Sequence, residues 1–195
     1  MKIKNLIDED FINYRKPSMF IAAPSCTFKC DKECGECICQ NSALAAAPDI
    51  EIEPMEIVER FNSNPITKAI VFGGLEPLDN GFFLKFCPYI PFLNKGTDIV
   101  VYTGYYPEEI HYSDFQHYYG MSYETVGKLI FKFGRFIPNQ KPHYDDVLGV
   151  ELASDNQFAY DYMTKNGAEN ARDYHKKVIE MSKEIRRNMN ENESK

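Results

Sequence analysis

Short apolar runs recur along the chain, and each has the length and composition of a buried β-strand. The runs occupy residues 18–23 (SMFIAA), 68–74 (KAIVFGG), 98–105 (DIVVYTGY) and 128–136 (KLIFKFGRF). Runs rich in valine, isoleucine and phenylalanine are typical of strands that are covered on both faces. The last three contain a glycine that indicates a turn where the strand ends.

Stretches with helical spacing separate these strands. Residues 54–61 begin with a proline and place apolar side chains three and four apart, which predicts a helix. Residues 82–93 are also helix-like, although two prolines interrupt their second half, and residues 107–119 predict a short helix and a loop. Because strands alternate with helices, we predict crossover connections, a largely parallel sheet and the α/β class.

The end of the chain gives a different pattern. Residues 137–164 show no clear period and are predicted to be irregular. Residues 168–189 predict a charged helix that packs on the sheet with its other face in water; docking on a partner is the alternative. The predicted organisation is one domain over residues 1–164 and a helical extension over residues 165–195.

Charge and hydropathy exclude two classes of partner. The chain has 29 acidic and 22 basic side chains and a formal net charge of −7, which argues against nonspecific nucleic-acid binding. The opening MKIKNLIDED is mixed in charge, and no apolar run approaches the roughly 18 residues of a membrane span. We therefore expect a cytoplasmic protein that contacts neither nucleic acid nor a membrane.

Five of the six cysteines lie in one segment, CTFKCDKECGECICQN, at residues 26–41. In a reducing compartment such a cluster more often binds metal or performs redox chemistry than forms disulfides. Cys34 and Cys37 have the C-x2-C spacing of half a zinc site, and although no second pair follows downstream, the cluster itself could supply four ligands. The segment follows the first predicted strand, where α/β proteins place active sites, which favours a functional role over a structural one.

Two motifs resemble those of the radical S-adenosylmethionine (SAM) superfamily. Cys26-x3-Cys30, followed by ICQN at 38–41, resembles the cluster motif C-x3-C-x2-C, in which an apolar or aromatic residue precedes the third cysteine. GGLEPL at 73–78 resembles the superfamily's glycine-glycine-acid-proline turn, with one leucine inserted. Further likeness to the activating proteins of anaerobic ribonucleotide reductases lies in DIVVYTGY, in KFGRFI at 132–137 and in ASDNQ at 153–157.

The third cysteine of this motif has three candidates. The family's spacing would place it at position 33, where this chain has Glu33. If Cys39 is the third ligand, six residues are inserted after Cys30, and the longer loop costs only about 1 kcal/mol of closure entropy. The ICQN context favours Cys39, with Cys34 and Cys37 as alternatives.

The resemblance implies an incomplete (β/α) barrel that binds a [4Fe–4S] cluster and SAM. Three thiolates would leave one iron open, and in the family the amino and carboxylate groups of SAM occupy it. The implied metal ligands are Cys26, Cys30 and Cys39. The implied cofactor-binding residues are Ile38, Gly73, Gly74, Glu76 and Pro77, and no catalytic side chain is assigned.

The resemblance also implies a reaction. In the family, the reduced cluster passes an electron to SAM, which releases methionine and a 5′-deoxyadenosyl radical that removes a hydrogen atom from a substrate. For the activating proteins, that substrate is a glycine of the large anaerobic ribonucleotide reductase subunit, and a flavodoxin or ferredoxin is the expected electron donor. The alternatives are a radical SAM enzyme that modifies another peptide or a small molecule, and a non-enzymatic zinc or iron–sulfur module.

Overall fold

A computed structural model of the protein describes residues 1–111, 113–114, 126–163 and 171–193. The strands of this part of the chain are β1 (Lys2–Ile3), β2 (Asn5–Asp10), β3 (Ser18–Ala22), β4 (Ile50–Glu51), β5 (Ala69–Gly73), β6 (Thr97–Tyr102), β7 (Val126–Phe133), β8 (His143–Asp145), β9 (Val150–Leu152) and β10 (Phe158–Asp161). Its helices are α1 (Lys29–Cys34), α2 (Ser42–Ala46), α3 (Pro54–Ser63), α4 (Phe82–Phe86) and α5 (Ala171–Glu193). Short 3-10 turns cover Asp79–Gly81, Cys87–Phe92 and Pro107–Glu109.

One six-stranded sheet organises the molecule, with its strands in the order β10-β7-β6-β5-β3-β2. The four inner strands, β3, β5, β6 and β7, run parallel to one another, and the antiparallel strands β2 and β10 form the two edges. The four inner strands coincide with the four apolar runs, so the predicted α/β class and largely parallel sheet are confirmed. The described strands do not close into a barrel.

Side chains of the inner strands alternate between two hydrophobic cores. Phe72 of β5 faces the larger core, where its ring centroid lies 5.1 Å from those of Phe83 and Phe86. Val71, the neighbouring residue, faces a smaller core on the opposite side of the sheet. Because strand side chains point to the two faces in turn, one apolar run supplies both cores.

The predicted helices before and after β5 form with different lengths. The helix predicted at 54–61 is α3, which begins at Pro54 and buries its apolar face. The helix predicted at 82–93 divides: α4 ends at Phe86 and a 3-10 turn containing Pro91 follows. Proline has no backbone N–H, so it cannot continue the hydrogen bonding of an α-helix.

The C-terminal helix predicted at 168–189 is α5, whose described residues begin at position 171. Val178 is buried in the larger core, and Met181 and Ile185 pack against it. The helix is therefore packed on the body of the protein by its apolar face, as predicted. Of the helix and loop predicted at 107–119, the structure shows a 3-10 turn, and most of the remainder lies outside the described residues. None of the described helices has both the length and the apolar character needed to cross a bilayer.

The prediction that residues 137–164 are irregular was wrong where β8, β9 and β10 form, and it holds for the described turns and loops between them, to position 163. Strands β8 and β9 pair with each other, and β10 pairs antiparallel to β7. The buried carboxylate of Asp145 accepts hydrogen bonds from the N–H groups of Val147, Leu148 and Ala159, which fixes the turn between β8 and β9 onto β10. Strands of three and four residues are too short to show a period in the sequence, so this contact network defines them instead.

Candidate cofactor-binding cleft

A cleft of about 360 Å³ opens at the carboxyl ends of the four parallel strands. This volume falls within the roughly 300–1,000 Å³ typical of small-molecule sites. Open α/β sheets bind ligands at this edge because the loops that follow neighbouring strands converge there. The chemically distinctive side chains and turn residues that line the cleft are Cys26, Cys30, Cys39, Gly74, Glu76 and Lys132.

Cys26 lies in the loop that follows β3. Its sulfur accepts a 3.2 Å hydrogen bond from the N–H of Phe28, and the N–H of Thr27 donates to the carboxylate of Asp79 at 2.8 Å. Burial raises the pKa of the Cys26 thiol to about 11, although the Phe28 hydrogen bond opposes the rise. The thiol is therefore held in place and stays protonated near neutral pH until an electrophile or a metal replaces the proton.

Cys30 lies in α1, and ion pairs dock this helix on the loops after β6 and β7. The buried guanidinium of Arg135 lies 3.2 Å from Glu33 of α1 and 2.6 Å from Glu109, and Lys29 also pairs with Glu109 at 3.2 Å. Burial raises the pKa of the Cys30 thiol, while the positive charge of Arg135 acts in the opposite direction. The helix thus carries its cysteine to a cationic edge of the cleft.

Cys39 reaches the same cleft from the far side of the inserted segment. The carboxylate oxygen Oδ1 of Asp31 accepts hydrogen bonds from the N–H groups of Ile38 and Cys39, at 3.0 and 2.9 Å. Residues 32–37, which we call the arm, are all exposed, and they contain Cys34 and Cys37. The structure therefore brings Cys26, Cys30 and Cys39 to one cleft and leaves the other two candidates on the surface.

Gly74 begins the turn after β5 at a position that only glycine suits. Its φ of +75° is rarely adopted by other residues, and a Cβ there would lie 2.7 Å from Leu44 Cδ2 and 3.1 Å from Ala22 Cβ. Leu44 belongs to α2, the helix directly after Cys39. The close approach at Gly74 therefore packs the cysteine segment against the second motif.

Glu76 is a buried carboxylate that accepts three hydrogen bonds from the protein. It accepts hydrogen bonds from the hydroxyl of Thr103 at 2.7 Å and from the N–H groups of Gly104 and Leu78 at 2.8 and 3.1 Å. Desolvation raises the pKa of Glu76 to about 7, and those three donors limit the rise. Near neutral pH the carboxyl group is thus balanced between its two protonation states, and a cationic ligand would favour the ionised one.

Lys132 places a buried cation beside this carboxyl group. Its ammonium donates to the carbonyl of Gly134 at 2.8 Å, and desolvation lowers its pKa to about 8, against the attraction of Glu76. In the sheet, Tyr102 pairs in register with Lys132. Each lies two residues after a member of the smaller core on its own strand, so both side chains are on the same face of the sheet as that core. The smaller core is therefore the floor of the cleft.

Sequence reasoning missed Lys132 and Asp31. The signal for Lys132 was a single lysine within the apolar run LIFKF, since a charge in a strand covered on both faces needs a reason. Asp31 gave no comparable signal, because an aspartate in a short polar helix is ordinary. Its role depends on the path of the arm, which the sequence does not encode locally.

The ASDNQ segment supports the loop after β7. The side-chain amide of Asn156 donates to the carbonyl of Arg135 at 2.8 Å, and that of Gln157 donates to the carbonyl of Gly134 at 3.3 Å. A Cβ at Gly134 would lie 2.8 Å from the carbonyl oxygen of Asn156, so the two segments are in close contact. Gln157 also lines the cleft, which makes it part of the wall as well as a support.

The other three predicted cofactor-binding residues do not line the cleft. Gly73 accepts a hydrogen bond from the N–H of Ala23 at 2.9 Å, and Pro77 accepts one from Phe83 at 3.0 Å. Ile38 is half-buried and is held by Asp31. Of the five predicted positions, Gly74 and Glu76 line the cleft, and these three do not.

A [4Fe–4S] cluster fits the donor chemistry of the cleft. Three thiols line it, and thiolates are the ligands of such clusters. Among the residues that the structure describes, no three cysteine, histidine, aspartate or glutamate side chains are close enough together to hold a metal ion. Binding a cluster would therefore need the three cysteine-bearing segments to draw closer together.

Comparison with known proteins gives no further information on the site. No family model matches the chain, and neither curated proteins nor solved structures gave a match.

Proposed function

We propose that the protein is a radical SAM activase of the kind that generates a glycyl radical on a large anaerobic ribonucleotide reductase subunit. The observation that carries the proposal is the cleft at the strand ends, where Cys26, Cys30 and Cys39 share one lining with Gly74 and Glu76. The four parallel strands would then form the sheet of an incomplete (β/α) barrel of radical SAM type.

Cys26, Cys30 and Cys39 would hold the [4Fe–4S] cluster. When bound, the cluster would supply one electron to the sulfonium of SAM, giving methionine and a 5′-deoxyadenosyl radical that removes a hydrogen atom from the substrate. The thiols must lose their protons to bind iron, and Arg135 beside Cys30 favours that loss. The protein's part is to fix the thiols and to limit access of water and oxygen.

Charge in the cleft matches the amino-acid end of SAM. A methionine moiety carries an ammonium and a carboxylate, and the cleft presents the buried Glu76 and the buried Lys132. Glu76 would accept hydrogen bonds from the ammonium, and Lys132 would pair with the carboxylate. Gly74, which has no Cβ, would let the backbone approach this end of the ligand.

The particular substrate rests on the likeness of residues 98–105, 132–137 and 153–157 to the activating proteins. Residues of all three segments line the cleft, which supports the proposal. A reductase glycine is accordingly the proposed hydrogen-atom donor, and a flavodoxin or ferredoxin the proposed electron donor. Clustered free thiols persist in reducing surroundings, so we also propose a cytoplasmic location.

Anaerobic reconstitution tests the proposal. Protein loaded with iron and sulfide, reduced and given SAM, should form 5′-deoxyadenosine, and the Cys26→Ala variant should form none. A fully loaded wild-type protein that forms no product would overturn the proposal. Tightly bound zinc without iron would instead support the metal-binding module.

A second assay separates the substrates. The loaded protein mixed with an anaerobic ribonucleotide reductase should give the electron paramagnetic resonance signal of a glycyl radical. Product from SAM without that radical would identify a radical SAM enzyme acting on another peptide or small molecule.

A further inference from the structure

The inserted segment between Cys30 and Cys39 is closed at its base by a single side chain. Asp31 follows Cys30 directly in α1, and its Oδ1 accepts the N–H groups of Ile38 and Cys39 at 3.0 and 2.9 Å. A carboxylate that accepts two backbone donors fixes the direction of the chain at that point. The two ends of the insertion are thus tied together, although eight residues separate the cysteines.

The rest of the Cys39 backbone is fixed from the other side. The carbonyl of Cys39 accepts a 3.3 Å hydrogen bond from the N–H of Ser42, the first residue of α2. Leu44 of α2 packs against Gly74, where no Cβ would fit. Cys39 therefore lies between an anchor on α1 and an anchor on the turn after β5.

The side chains of the arm do not hold Cys39 directly, although Glu33 at its start pairs with Arg135 at 3.2 Å and helps to dock α1. All six of its residues are exposed, whereas Asp31, Ile38 and Cys39 are each partly buried. Beyond Glu33 the segment that lengthens the motif is exposed to solvent, and the hydrogen bonds of Asp31 bring the two thiol-bearing residues together at its base. A chain with such a widened spacing needs a contact of this kind, because a longer loop without it would not fix the position of the third thiol.

We infer that Asp31 is a positioning residue that holds Cys39 in the cleft as the third ligand, a role that rests on the proposed cluster. It touches neither the cluster nor the substrate in this role and acts through the backbone of Cys39. Loss of such a supporting contact typically lowers metal affinity about 10- to 100-fold.

Three variants test this role. Asp31→Ala removes the acceptor, Asp31→Asn keeps an acceptor oxygen, and Glu36→Ala removes an acidic side chain from the exposed arm as a matched control. After anaerobic reconstitution, the chelator concentration that strips half the iron should fall roughly 10- to 100-fold for Asp31→Ala. It should fall much less for Asp31→Asn and stay unchanged for Glu36→Ala. Equal retention of iron by Asp31→Ala and wild type would overturn the inference.

A second measurement uses iron-free protein and does not depend on a cluster. Alkylation followed by mass spectrometry should show that Cys39 reacts several-fold faster in Asp31→Ala, while Cys26 keeps its wild-type rate. Unchanged labelling of Cys39 would refute the positioning role, and faster labelling of all cleft thiols would indicate a general loss of structure instead. Wild-type protein that takes up no iron would contradict the proposed function. The labelling result would still decide whether Asp31 holds Cys39.

Discussion

The carboxylate of Glu76 accepts a 2.8 Å hydrogen bond from the backbone N–H of Gly104, which joins the turn after β5 to the turn after β6. The same carboxylate accepts the hydroxyl of Thr103 at 2.7 Å. A buried acid at this junction both fixes two loops of the cleft and makes their stability sensitive to pH.

Glu76 should therefore make stability fall as pH rises. Burial raises its pKa in the folded state from an ordinary 4.5 to about 7, so between these values the folded chain binds more protons than the unfolded chain. The free energy of unfolding of wild type, relative to Glu76→Gln, should decline by about 3 kcal/mol across that window. Chemical denaturation at several pH values from 4 to 8 measures this difference.

Glu109 provides a control of opposite sign. Burial alone would raise the pKa of Glu109, but the hydrogen bonds that it accepts from Arg135 and from the backbone lower that pKa overall. Relative to Glu109→Gln, wild type should lose stability as pH falls into the acidic range, not as it rises. A flat difference between wild type and Glu76→Gln would contradict the first expectation.

The five clustered cysteines should divide into two groups when each is changed to alanine. Iron content after reconstitution should collapse for Cys26→Ala, Cys30→Ala and Cys39→Ala, because these thiols line the cleft. The double variant Cys34→Ala/Cys37→Ala should keep its iron, because both thiols are exposed on the arm. Iron lost from the double variant and kept by Cys39→Ala would move the third ligand to the arm.

Gly74 and Gly96 form a matched pair for measuring the close approach at the cleft. Both have positive φ, but a Cβ at Gly96 would meet nothing within 4 Å, whereas one at Gly74 would meet Leu44 at 2.7 Å. Gly96→Ala should cost about 1–2 kcal/mol of unfolding free energy, and Gly74→Ala about 2–4 kcal/mol.

Adding Leu44→Ala to Gly74→Ala should recover part of the extra cost, since the two sites are coupled by contact. Urea denaturation of Gly96→Ala, Gly74→Ala, Leu44→Ala and the double variant gives the comparison. Equal costs at the two glycines would mean that α2 moves aside freely.

The thiols of the iron-free protein should react with an alkylating reagent at very different rates. Cys34 and Cys37 are exposed, whereas burial raises the pKa of Cys26 from 9.0 to about 11, which lowers its thiolate fraction about 100-fold. Cys87 is buried in the larger core and should react only on unfolding. Time-resolved labelling with peptide mapping ranks the sites, and in denaturant the differences should disappear.

The sequence predicted those parts of the fold in which one local pattern extends over five or more residues. The four inner strands and α3 are of this kind. Strand β2, with the sequence NLIDED, is mostly exposed and acidic. Its pairing with β3 depends on tertiary contacts, and no apolar pattern in the sequence predicts it. Strands β8 to β10 depend on the contacts of Asp145, which join residues up to 14 positions apart.

The candidate site divides in a similar way. The resemblance of the cysteine spacing and of the glycine turn to the superfamily's motifs suggested Cys26, Cys30, Gly74 and Glu76 as candidates. Among the remaining cysteines the ICQN context favoured Cys39 but left Cys34 and Cys37 open, because the path of the arm is set by hydrogen bonds to Asp31, whose partners lie seven and eight residues away. Which thiol enters the cleft is therefore a property of the folded chain.

The arm has a practical consequence for experiments on this protein. Its exposed thiols, Cys34 and Cys37, are natural attachment points for a nitroxide or a fluorophore, and they need no engineered cysteine. A probe there would sit at the end of a segment whose base is tied to Cys39, outside the cleft itself. It could report the approach of another protein, or movement of the cysteine segment, without entering the space that a ligand needs.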